Sequence, residues 1–209
     1  MTSRTALMVR GGWEGHFPVE ATDRYAAELR ARDYQVTLSD TLDSYLDADL
    51  LNASDLIVQC WTMGTITPEQ LAGLSSAVRA GTGFAGWHGG IIDSFRAEPD
   101  YHLITGGQFV HHPKGFVDYR VRAVSPVPHP LVAGLGEFPV HTELYTVHID
   151  PSIRVHAVTD CDGAAMPVTW TKNWGDGKVF VTTLGHHPPD FEVPETHEMI
   201  IRGLLWATR

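Results

Sequence analysis

Short runs that are apolar at every position recur through the N-terminal half of the chain, with stretches of helical periodicity between them. Such a run has no polar face to show to water, so it reads as a strand covered on both sides in a parallel sheet. Ala6-Leu7-Met8-Val9 is the first and runs into Gly11-Gly12. From Val19 to Arg32, Tyr25, Ala26 and Leu29 share one helical face, and Pro18 suits the first turn. Gln35-Val36-Thr37-Leu38 is the second strand and Asp55 to Gln59 the third. Thr67-Pro68-Glu69 opens the next helix, with a hydroxyl to cap it, a proline for its first position and an acid for the positive end of its dipole. That helix runs to about Arg79 and stops at Gly81, and Thr82 to Trp87 is the fourth strand. Strand, helix and strand at this spacing predict a doubly wound α/β fold with a mainly parallel sheet and right-handed crossovers.

The pattern changes after the midpoint. Asp118 to Val124 and Arg154 to Val158 alternate apolar and polar residues. Pro167 to Thr171 and Lys178 to Thr183 read as strands joined by Asn173-Trp174-Gly175-Asp176-Gly177, which carries a hairpin-type Asp-Gly. These short strands predict an antiparallel extension on the sheet edge, with Val179-Phe180-Val181 central. Glu195 to Trp206 is a closing helix with Met199, Ile200, Leu204 and Leu205 inward. Pro126 to Pro130 reads as a loop, and no repeat or linker divides residues 1–209, so one domain is expected.

Composition narrows the function. The chain has 15 Lys+Arg against 25 Asp+Glu, a net charge of −10 that repels nucleic acid and anionic membrane on average but not a neutral sugar. The apolar stretch after Met1-Thr2-Ser3-Arg4-Thr5 is too short for a signal segment or membrane span, so a cytoplasmic location is expected. Cys60 and Cys161 stand far apart without metal-ligand spacing and read as reduced thiols. Twelve histidines are a surplus, and imidazole is suited to proton transfer near neutral pH and to transition metals.

In an open parallel sheet, ligands bind beyond the carboxyl ends of the strands. Trp13, Glu14, Gly15 and His16 follow the first strand, Trp61, Thr62 and Met63 the third, His88, Gly89 and Gly90 the fourth, and Gly185, His186 and His187 the second hairpin strand. Separate loops thereby bring His16, His88 and His186 to one edge. Gly86-Trp87-His88-Gly89-Gly90 has the small residues of a strand-to-helix nucleophile elbow, which thrusts its central side chain toward a ligand. Imidazole at that position points to acid–base or metal chemistry rather than acyl transfer.

The chain resembles the trehalose-utilisation (ThuA-like) family, which is similar in fold to class I glutamine amidotransferases. The matching residues are Gly12-Trp13-Glu14-Gly15-His16, Gly86-Trp87-His88-Gly89-Gly90, Gly106-Gly107-Gln108-Phe109 with His111-His112-Pro113, His129-Pro130-Leu131, Thr142-Glu143-Leu144-Tyr145, and Pro167-Val168-Thr169-Trp170 continuing to Leu184-Gly185-His186. The resemblance implies a flavodoxin-like domain and a role in sugar catabolism. His88 stands where the amidotransferases carry their cysteine, so glutaminase activity is not expected. His141-Thr142 precedes Glu143 where the family pattern usually has an acidic residue.

The residues expected to act are His88, Glu143 and His186 in catalysis. Trp13, His16, Trp61, Trp87, Gly89 and His111 are expected to contact substrate, the indoles offering flat rings to the apolar face of a sugar. Of the adjacent His111 and His112 only one can face the site, and His111 is preferred. His102 is placed on a short surface helix. His129, His141, His148, His156 and His197 are read as structural, and His187-Pro188-Pro189 as a rigid chain exit. His16, His88 and His186 are also candidate ligands for a divalent metal such as zinc. The expected function is isomerase, hydrolase or lyase chemistry on a sugar or keto-sugar. The alternative is a non-catalytic sugar-binding or regulatory module, and a homo-oligomer is expected in either case.

Overall fold

The computed structural model describes residues 3–124 and 129–209. In chain order the strands are β1 (Arg4–Gly12), β2 (Tyr34–Ser39), β3 (Leu56–Thr62), β4 (Gly83–Trp87), β5 (Gly107–His111), β6 (Val117–Ala123), β7 (Phe138–Thr142), β8 (Thr146–Ile149), β9 (Arg154–Cys161), β10 (Ala164–Trp174) and β11 (Gly177–Thr182). The helices are α1 (Pro18–Arg30), α2 (Ala48–Ala53), α3 (Pro68–Arg79), α4 (Gly89–Ile92), α5 (Pro99–Thr105) and α6 (Pro194–Ala207).

Among the described residues one sheet takes the order β2-β1-β3-β4-β11-β10-β9-β6-β7. Its first five strands run parallel, the arrangement of flavodoxin-like folds, and the pairings from β11 to β7 are antiparallel. β11 is therefore the seam between the two halves, which accounts for its uninterrupted Val179-Phe180-Val181.

Both faces of the parallel half are covered. Ala6 and Met8 pack with Tyr25, Ala26 and Leu29 of α1 and Met199, Ile200 and Leu204 of α6. Leu7 and Val9 pack on the other face with Leu71, Leu74 and Val78 of α3. A fully buried side chain of this size contributes roughly 1.5–3 kcal/mol, which sets the sheet between its helices. Thr67 caps α3 with a complete capping box: its hydroxyl accepts from the Gln70 amide at 3.2 Å, and the Gln70 side-chain oxygen accepts from the Thr67 amide at 2.9 Å. Among the described residues no helix is long and apolar enough to cross a membrane.

Several local expectations change. The hairpin turn is shorter than the five residues from Asn173 to Gly177, because Trp174 pairs directly with Gly177 and only Gly175-Asp176 turn. Leu205 is half-buried, whereas Ile201 joins the core. The stretch after Phe109 is not a loop, since β5 and β8 form a two-stranded sheet of their own. β7 also emerges only in the structure, as the outer edge strand. Of the loop expected over Pro126 to Pro130, residues 125–128 lie outside the described residues.

Candidate functional site

The β1 and β3 loops flank the point where strand order reverses in the sheet, and the turns after β4 and β11 close the same edge. His88 sits there in a strained backbone conformation, φ 48° and ψ −144°, between β4 and α4. Gly86 permits the turn, because a Cβ on it would lie 2.5 Å from the Gln59 carbonyl oxygen. The His88 amide donates to Thr182 O at 2.7 Å and ring Nδ1 lies 2.7 Å from Thr183 O. A carbonyl oxygen can only accept, so Nδ1 carries the proton and Nε2 presents a lone pair in the neutral ring.

That lone pair points into a cluster. His88 Nε2 is 3.2 Å from Glu143 Oε2 and 3.2 Å from His186 Nδ1, and His186 Nδ1 is 3.1 Å from the same carboxylate oxygen. His16 Nε2 lies 4.0 Å from Glu143 Oε2 while its Nδ1 bonds the Thr62 hydroxyl at 2.8 Å. One ligand atom from each of His16, His88, Glu143 and His186 falls within 4.8 Å of all the others, and all four residues are buried.

The electrostatics favour neutral His16 and His88 rings beside an ionised acid. Burial, reinforced by His88 and His186, pushes His16 down to about 2. Burial likewise lowers His88, although the adjacent Glu143 carboxylate opposes this by favouring the charged ring. Burial works against the Glu143 carboxylate, but the His186 and His88 rings set against it outweigh this and hold it well below the usual carboxylate range. Lone pairs and one negative charge thus converge with no cationic side chain among them.

Each expected site residue can now be placed. His16, His88, His186 and Glu143 come together. Gly89 lies under the His16 ring, where a Cβ would stand 2.3 Å from His16 Cε1, so it seats an imidazole. Trp13 is 48% exposed and meets His16 edge-on at 4.7 Å, at the rim of the cluster. Trp61 covers Gly11 and packs against the lower core rather than joining the cluster. Trp87 is corrected outright: at 1% exposure it packs on Tyr25 at 4.8 Å, within the core on the face of α1 and α6. Alternation along β4 sends it opposite to the site.

His111 is also corrected. It is exposed, while His112 stacks on Tyr145 and brings Nε2 to 3.7 Å from Glu143 Oε1. The reasoning that only one of the two can face inward holds, but an irregularity in the β5–β8 register between Phe109 and His111 decides which. Cys60 lies buried beneath Gly90, and burial pushes its thiol up to about 12. His102 is on α5 as expected but half-buried.

Sequence reasoning names Thr62, His112 and Tyr145 without giving them a role in the site, and singles out neither Thr183 nor Asp190. Tyr145, whose ring lies 4.2 Å from that of His88, was within reach because it shares a motif with Glu143. Asp190 gave no signal.

Comparison with known proteins bears on the fold and the family. A ThuA-like protein from Bacteroides uniformis superposes with a TM-score of 0.83 over 98% of this chain and 91% of its own, at 15% identity. Another from Parabacteroides merdae gives 0.80 over 99% and 90% at 17% identity. A cytoplasmic protein of Salmonella typhimurium gives 0.73 over 98% and 100% at 15% identity. Identities this low speak to the fold alone. No curated protein matches the chain in sequence. The sequence model of the family described as trehalose utilisation matches residues 5–207, nearly the whole chain and every loop that carries the cluster, and by that match the chain belongs to the ThuA family.

Proposed function

We propose that the cluster holds a divalent transition metal of the zinc type and that the protein uses it on a neutral sugar derivative, a keto-sugar above all, in carbohydrate catabolism. The observation that carries this reading is the convergence of three imidazoles and one carboxylate on a single buried point. An ion at about 2.0–2.1 Å from four tetrahedral ligands separates those ligands by roughly 3.3 Å, close to the spacings around Glu143 Oε2. Thr62 on His16 and the Thr183 carbonyl on His88 fix the remote ring nitrogens, the support that metal-bound histidines ordinarily have.

A metal there, taking a sugar oxygen as a fifth ligand, would polarise a carbonyl or hydroxyl of the sugar. Glu143 completes the set through Oε2, and Oε1 faces the partly exposed His112, giving protons a way to solvent. Trp13 offers an exposed flat ring to an apolar sugar face. The family description supports the sugar, and the Salmonella neighbour's name supports a cytoplasmic setting. With imidazole at the elbow and Cys60 buried and protonated, glutamine hydrolysis is not expected.

Elemental analysis of untagged protein is the test. We expect one equivalent of metal, removable by chelator. Protein that is metal-free and unstabilised by added zinc, cobalt or manganese would overturn the metal. The second reading then gains, in which His88 and His186 share protons with Glu143 at 3.2 and 3.1 Å and act by acid–base chemistry alone. Wild-type protein that binds a keto-sugar without turnover would support a binding module instead.

A further inference from the structure

The four cluster residues are not held equally. His16 and His88 rise from the parallel half, where each has its remote ring nitrogen bonded and His88 is tied through its backbone to Thr182. Glu143 follows β7, which pairs with β6 alone at the edge of the sheet. His186 follows Gly185, whose φ of 99° is open to few other residues, beyond the end of β11. Next to both lies a cavity of about 220 Å³ lined by Thr142, Leu184, Gly185, His187 and Asp190 among others. Packing contacts across that space are absent, so side-chain bonds on this side count for more.

One side chain bridges them. Asp190, in the short turn Pro188–Glu192, is 6% exposed. Its Oδ2 accepts from the Thr142 hydroxyl at 2.6 Å and from the His186 backbone amide at 2.8 Å, and its Oδ1 lies 3.0 Å from His187 Nδ1. The carboxylate is spent on protein donors directly beside Glu143 and at His186 itself. We propose that Asp190 is a positioning residue that clasps the Glu143 and His186 segments together and so sets one half of the ligand set against the half carried by His16 and His88. A carboxylate suits this task because one oxygen can serve two donors at once, and charge-assisted bonds of this kind are short and strong. The proposal rests on the metal reading for its consequence in binding, but the clasp itself is a statement about the protein without metal.

Two measurements separate the two. Cobalt titration of untagged, chelator-stripped protein reads the site through affinity and visible absorption. Asp190→Ala is expected to lose on the order of 100-fold in cobalt affinity and to change the absorption bands, the upper range for loss of a ligand's supporting partner. Asp190→Asn keeps an oxygen able to accept from Thr142 and His186, so its loss should be about 10-fold or less, and Thr142→Val should fall between. Imidazole nitrogen shifts of stripped protein form the second readout. In Asp190→Ala the His186 resonances should move while those of His16, anchored by Thr62, stay. A merely structural role would disturb both rings alike, or neither. Wild-type protein without cobalt affinity would sink the metal reading and leave the nitrogen shifts to decide the clasp. Asp190→Ala with wild-type cobalt affinity, or with unmoved His186 resonances, overturns the clasp.

Discussion

Among the described residues two groups of buried imidazoles stand out, and one of them has the makings of a site. His16, His88 and His186 come from three loops at the carboxyl edge of the parallel strands and turn nitrogens toward Glu143. His129 and His156 lie under the antiparallel half, their rings 4.1 Å apart, with His156 Nε2 on the Thr171 hydroxyl at 2.8 Å and its Nδ1 unpartnered. Both groups are buried, and burial lowers His16, His88, His129 and His156 alike. What separates the groups is the direction of the lone pairs and the carboxylate they surround. Histidine number and burial do not mark a functional centre; convergence on a shared acceptor does.

The sharpest way to break this comparison is to remove one imidazole from each group. His88→Ala should abolish stoichiometric metal, an affinity loss of more than about 100-fold, beyond what supporting residues usually cost. His156→Gln should retain metal in full. Equal metal content in both variants would dissolve the distinction.

Partners of the rings give the next contrast. Thr62→Val removes the support of His16 and should weaken metal binding by about 10–100-fold. Thr171→Val leaves His156 Nε2 buried without a partner and should cost about 1–3 kcal/mol in denaturant unfolding with metal affinity untouched.

The smallest effect is in pH. His156 is lowered to about 4 by burial and by its neighbours His129 and Arg154, below the 6.5 of the unfolded chain. The unfolded state then binds more protons between those values, so stability is complete above about pH 6.5 and declines as pH falls toward 4. The slope from this ring is up to about 1.4 kcal/mol per pH unit. His156→Gln should flatten that part of the unfolding profile, and an unchanged slope would remove His156 from the acid response.

How far these features could be read beforehand differs between the halves. The parallel strands, the Thr67 cap and the elbow at His88 depend on residues adjacent in the chain, and each was legible because burial on two faces and helix termination leave local patterns. The order β6-β9-β10, the edge strand β7 and the β5–β8 pair depend on long-range partners with weak alternation, and β5, β7 and β8 passed unread. Trp87 shows the limit in one residue: a motif placed it beside His88, but strand alternation turned it away from the site.

The amino-acid order by itself determined the doubly wound class, the edge where a ligand would sit, and the three strand-end histidines that reach it. Those follow from hydrophobic period and from the rule that loops at the carboxyl ends of parallel strands share one edge. Only the tertiary structure decided that Glu143 closes the cluster, that His112 rather than His111 faces it, and that Asp190 joins its last two segments. Those outcomes hang on a register irregularity, on an edge strand and on a carboxylate 48 residues from Thr142. Distance along the chain carries no trace of such contacts, because they are made by packing rather than by local conformation.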